Sequence, residues 1–174
     1  MAASPLIMQF VGYANSGKTT IVTQLVRYFQ SKHFRVGVIK HDGHDHDWDE
    51  GKDTHRFRQA GAPLVAIQSQ SKTGWFEQAA VPLEQLVARM EAAGAEIVLI
   101  EGFKRAHYRK LALIRREADL PLIADVTNCC GIVSWLPLPP QKLPVFSIDH
   151  GQQIGDFLLD LHEQERSADS GEDI

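Results

Sequence analysis

Gly12, Gly17, Lys18 and Thr19 stand in the segment G-Y-A-N-S-G-K-T-T, residues 12–20, at the spacing of a phosphate-binding loop, G-x-x-x-x-G-K-S/T. The chemistry explains the spacing. Glycines let successive backbone N–H groups turn inward onto phosphate oxygens, the lysine reaches the outer phosphates, and the hydroxyl after it holds Mg²⁺. Asn15 and Ser16, inside the loop, belong to the same candidate nucleotide site. A helix beginning at Lys18 adds the positive end of its dipole to the phosphate cradle.

A nucleoside triphosphate site needs a second carboxylate for the metal or its waters, at the end of a buried strand beside the loop. Glu101, after the apolar run E-I-V-L-I, is the candidate, and Lys18 and Glu101 are the candidate catalytic pair. The usual residue is Asp; the longer Glu suits contact through a metal-bound water. Gly102 then lets the backbone approach the terminal phosphate. No N-K-x-D or T-K-x-D segment announces guanine. Asp125 and Asn128, in A-D-V-T-N, are the candidates for reading the base, because a carboxylate can accept from both N1–H and N2–H₂ of guanine.

Residues 40–54, K-H-D-G-H-D-H-D-W-D-E-G-K-D-T, are the second informative stretch. His41, His44 and His46 with Asp42, Asp45, Asp47 and Asp49 offer the N and O donors of a transition-metal site. The same residues also fit a nucleotide-sensing or partner-binding switch, or a solvated loop. Lys40, His41, His44, Lys52, Asp53 and Lys104 are the candidates for a second site or switch. Arg56, Arg58, Lys104, Arg105, Arg109, Lys110, Arg115 and Arg116 put positive charge around the predicted nucleotide edge that a second anionic ligand could use; apart from Lys104 and Arg105, which follow the Glu101 motif, each is expected to be solvated. Cys129 and Cys130 read as small packed residues, and Trp48, Trp75 and Trp135 as packing or interface residues.

The elements that must position these groups alternate. Leu6 to Val11 reads as a buried strand feeding the loop, and Ile21, Val22, Leu25, Val26 and Phe29 repeat at helical spacing over residues 18–31. Strands are predicted at 34–40, 63–68, 96–100, 111–114, 122–126 and 131–135, with 75–77 as a hairpin partner. Helices are predicted from Asp53 to before Gly61, over 82–93, and from Asp149 to about His162. The prolines at 137, 139, 140 and 144 read as a surface connection. The pattern predicts an α/β, three-layer P-loop NTPase fold with a mainly parallel sheet and an added β-hairpin. It is read as one domain over residues 1–174, with 163–174 a flexible tail.

With 174 residues, 44% of them hydrophobic, and a formal charge of -4, the chain suits one well-packed domain and lacks the global positive field that favours nucleic acid or anionic membrane. Adjacent cysteines form no disulfide framework. The first residues lack a signal-peptide pattern and no apolar run approaches the ~20 residues that span a bilayer, so a soluble, cytoplasmic protein is expected.

G-Y-A-N-S-G-K-T-T, V-I-K-H-D-G-H with G-K-D-T-H-R-F-R-Q-A-G-A downstream, and I-V-L-I-E-G-F-K together resemble the molybdopterin-guanine dinucleotide biosynthesis adapter family, MobB. The likeness covers most of residues 6–126 in order and spacing. It implies a GTP-binding protein with weak Mg²⁺-dependent GTPase activity, a homodimer, that assists attachment of GMP to molybdopterin while a separate guanylyltransferase partner carries out the transfer. Molybdopterin and molybdopterin-bearing proteins are implied as pathway ligand and partners. The phosphate and Mg²⁺ roles fall on Gly12, Gly17, Lys18, Thr19 and Glu101, with Thr20 next to the α-phosphate. Lys40, His41, His44, Gly51, Lys52, Asp53 and Thr54 match the family's second motif. Tyr13 stands where some dimeric relatives place a Lys across their interface. A His-rich metal-delivery GTPase for nickel or zinc, and behind it a small-molecule kinase, are the rival readings.

Overall fold

In a computed structural model of the chain, residues 4–43, 47 and 49–169 are described. They divide into two compact units, residues 1–41 with 86–174, and residues 42–85. The candidates His44, Asp45, His46 and Trp48 lie outside the described residues.

The larger unit is built on a six-stranded sheet of β1 (Leu6–Val11), β2 (Val36–Lys40), β5 (Ile97–Glu101), β6 (Lys110–Ile114), β7 (Cys129–Ser134) and β8 (Val145–Ser147). The spatial order is β2-β5-β1-β6-β7-β8, and every pairing is parallel. A parallel sheet needs cover on both faces. On one face Met8, Phe10, Leu99, Leu111, Leu113 and Val133 pack against Ile21, Leu25 and Phe29 of α1 (Lys18–Ser31) and Ile154 and Leu158 of α5 (Gly151–Asp169). On the other, Val11, Ala112, Ile114 and Ile132 meet Leu122 and Val126. Near β2, α3 (Leu83–Ala92) brings the Met90 side chain against Gly37. Most of these side chains are fully buried, each worth about 1.5–3 kcal/mol of transfer free energy.

Residues 122–126, predicted as a strand, instead enter the short helix α4 (Leu122–Asp125). Leu122 and Val126 are buried four residues apart while Ala124 and Asp125 face solvent, a helical rather than an alternating pattern. Pro121, before its first turn, has the φ a helix requires. The terminal helix runs on to Asp169, past the predicted end near His162. Among the described residues no helix is long and apolar enough to cross a membrane.

The connection from β5 to β6, residues 102–109, has no helix, yet side chains from the sheet and the β7 entry take up its carbonyls. Gln9 donates to Gly102 and Phe103, Lys110 to Ala106 and Tyr108, and Asn128 to His107. Gln9 and Lys110 face each other in register and are wholly buried. Burial lowers the pKa of the Lys110 amine.

In the smaller unit, β3 (Leu64–Gln68) and β4 (Thr73–Glu77) form the expected antiparallel hairpin beside α2 (Asp53–Gln59). Val65 and Phe76 share one hairpin face, with the Arg58 guanidinium 5.8 Å from the Phe76 ring. Leu64, Ala66 and Trp75 share the other; Leu64 is 55% and Trp75 64% exposed.

Candidate nucleotide site

The sheet order puts the ends of β2, β5, β1, β6 and β7 along one edge, and ligands of open parallel sheets bind beyond such carboxyl ends. From β1 the chain turns at Gly12 and enters α1 through two left-handed residues, Asn15 (φ 57°) and Gly17 (φ 96°). Asn tolerates that region and Gly favours it. The Gly12 position also has no room for a side chain: a Cβ there would lie 2.2 Å from the Ser16 hydroxyl. That hydroxyl is buried beside Gly12 without a hydrogen-bond partner.

Lys18 curls back over the loop, its Nζ donating to the carbonyls of Gly12 (3.0 Å) and Tyr13 (2.7 Å). Burial lowers its pKa, opposed by the Glu101 charge and assisted by that of Lys40. Thr19 donates its hydroxyl to Glu101, with the two carboxylate oxygens at 2.9 and 3.0 Å. Glu101 ends β5 opposite Phe10 of β1 and is buried to 7% exposure, so its carboxylate is fixed beside the first turn of α1. Gly102 follows with φ 94°, and a Cβ there would lie 2.9 Å from that of His41. His41 closes the edge by donating its amide to the Glu101 carbonyl and setting its ring 4.6 Å from that of Phe103.

Two residues of the loop's support were not assigned to it from the sequence. Trp135, just after β7, donates its indole N–H to the Ser16 carbonyl at 2.9 Å, and Arg115, just after β6, donates to the Asn15 carbonyl. The guanidinium of Arg115 lies 5.4 Å from the Trp135 ring. The available signal was topological: parallel strands following the loop strand deliver their ends to the same edge.

The other candidates fall in different places. Thr20 is exposed on the first turn of α1. Asn128 lies immediately before β7, at the opposite end of that strand from Trp135, and its amide anchors the 102–109 connection. The structure therefore does not bring it to the phosphate loop. Asp125, on α4, has an oxygen 3.9 Å from Lys104 Nζ, which in turn sits 5.6 Å from the Tyr13 ring.

Within the smaller unit, ligand atoms of Asp47, Asp49 and His55 lie within 4.8 Å of one another. Arg58 stands among them, donating to Asp47 at 2.8 Å and also to Asp49, with His55 Nδ1 3.3 Å away. Its hydrogen bond is the main cause that holds the Asp49 carboxyl below the usual range. This guanidinium already supplies the counter-charge that a metal would bring. Lys52 caps α2 without a side-chain bond, and Asp53, well exposed, pairs with Arg56 at 3.7 Å.

The donor set at the phosphate loop fits a hard cation with a polyphosphate: hydroxyl and carboxylate oxygens of Thr19 and Glu101, a lysine, and a left-handed turn leading into a helix N-terminus. Residues 7–135 match the family described as molybdopterin guanine dinucleotide synthesis protein B. The molybdopterin-guanine dinucleotide biosynthesis adapter protein of Escherichia coli is 32% identical over 167 residues, covering 91% of this chain and 94% of that protein. The Haemophilus influenzae adapter protein is 30% identical, with 87% and 86% covered. A crystal structure of Bacillus subtilis MobB superposes with a TM-score of 0.76 at 28% identity, covering 88% of this chain and 96% of that one.

Proposed function

The chain belongs to the molybdopterin guanine dinucleotide synthesis protein B family, and from that premise we propose that it is a GTP-binding adapter that assists attachment of GMP to molybdopterin. The observation that carries the nucleotide part is the Thr19–Glu101 contact beside a loop whose lysine already reaches two of its carbonyls. Backbone N–H groups of the loop and of the first turn of α1 orient the phosphates, and Lys18 meets the outer ones. Thr19 and Glu101 would hold Mg²⁺, which supplies charge neutralisation between the outer phosphates.

Hydrolysis is slow on this reading. Lys18, Thr19 and Glu101 position phosphate and metal, whereas an added arginine finger is worth several orders of magnitude in rate. A guanylyltransferase partner performs the transfer itself. The adapter is read as a homodimer, and the outward Leu64 and Trp75 of the hairpin support an apolar contact for it.

Isothermal titration with GTP and ATP, each with Mg²⁺, tests the proposal. GTP should bind to the parent protein and binding should be lost in Lys18→Ala. Equal binding by parent and variant, or none by the parent, would overturn it.

A further inference from the structure

A second lysine reaches the metal-side carboxylate. Lys40 is the last residue of β2 and lies in register with Glu101. Its Nζ is 3.6 Å from Glu101 Oε1, an oxygen that also accepts from the Thr19 hydroxyl at 2.9 Å. The Lys40 side chain is 59% exposed while the Glu101 side chain is 9% exposed, so a long, solvated stem meets a fixed anion. An ion pair with one half-exposed partner contributes little to stability, and the lysine can move without disturbing the fold.

The charges around Glu101 make a use for this lysine. A triphosphate held by the loop would bring its outer phosphates towards Thr19, Glu101 and the Mg²⁺ they would hold, and the charges of a triphosphate and a carboxylate together exceed what one divalent cation and Lys18 neutralise. Lys18 approaches from the Gly12 and Tyr13 side of the loop, whereas Lys40 approaches from the far side of β5. The contact with Glu101 is an ion pair at 3.6 Å that uses up none of the ammonium's three N–H donors, so the lysine can keep that pairing while a donor meets a phosphate oxygen. A diphosphate lacks that outermost group.

We propose, resting on the GTP reading above, that Lys40 is a ligand of the nucleotide's terminal phosphate and sets the preference for triphosphate over diphosphate. Removing one charge-assisted hydrogen bond weakens binding about tenfold or more. In Mg²⁺ buffer, guanosine 5′-(β,γ-imido)triphosphate and GDP are titrated into the parent, Lys40→Met and Lys40→Arg. Lys40→Met should lose about tenfold in affinity for the imidotriphosphate and keep its GDP affinity, which also reports an intact loop; Lys40→Arg should retain part of the preference. Equal loss for both nucleotides, or no loss for either, overturns the assignment. A parent protein that binds neither sinks the GTP reading with it, whereas a parent that binds both beside an unchanged Lys40→Met sinks Lys40 alone.

Discussion

Lys18 carries opposing influences: burial lowers its pKa, the Glu101 charge raises it, and Lys40 lowers it again. The sign for binding follows directly. Phosphate attraction needs the ammonium, so GTP affinity should be retained at neutral pH and fall as pH rises through the lowered pKa, before the ordinary lysine value of 10.5 is reached. Titrations across the alkaline range check this; a constant affinity up to pH 10.5 would contradict it. At this scale the sequence was informative where chemistry demands a fixed spacing. Gly12, Gly17, Lys18 and Thr19 lie within one turn of chain, and Glu101 follows an unmistakable apolar run. Trp135 and Arg115 were not legible, because their contacts with Ser16 and Asn15 span about a hundred residues of chain and depend on strand order. Asn128 misled for the same reason: its composition suited base recognition, but it stands at the entry of β7 and its partner is His107.

Between elements, the packing of α5 on α1 gives a quantitative test. Gly155 lies against the Tyr28 ring, and a Cβ there would be 2.3 Å from Tyr28 Cε1 and 2.9 Å from Cγ. Alanine gains about 1 kcal/mol of helix propensity over glycine, whereas overpacking costs about 1–3 kcal/mol. The ring cannot slide away easily, since it packs edge-on against Phe29 and its hydroxyl donates to Asp156. Gly155→Ala should therefore lower stability in urea unfolding, and an increase would show that the helices separate without strain. Most elements were legible from periodicity, which reports burial when a segment is long enough to repeat. The α4 segment is too short for that, and the three residues of β8 were concealed among prolines.

Across the whole molecule, the apolar hairpin face bears on assembly. Trp75 and Leu64 lie on one side of a two-stranded ribbon, and Trp75→Glu would place a charge in any apolar contact made there. For the proposed homodimer, sedimentation velocity should give a dimer for the parent and a monomer for Trp75→Glu; a variant that sediments as the parent does would move the contact elsewhere. The layered α/β architecture was readable in advance from alternating elements, but the pairing order of the strands was not, since it is settled by contacts distant in sequence.

Segment 102–109 has the irregular backbone of a surface loop, yet two fully buried side chains of the sheet, Gln9 and Lys110, hold it along with Asn128. For protein engineering its backbone counts as core. Its bonds to Gln9 and Lys110 run through main-chain carbonyls, so its side chains can be varied without losing them. A graft that changes the length or path of this backbone, however, would strand an amide and an amine in the interior unless Gln9 and Lys110 are redesigned with it.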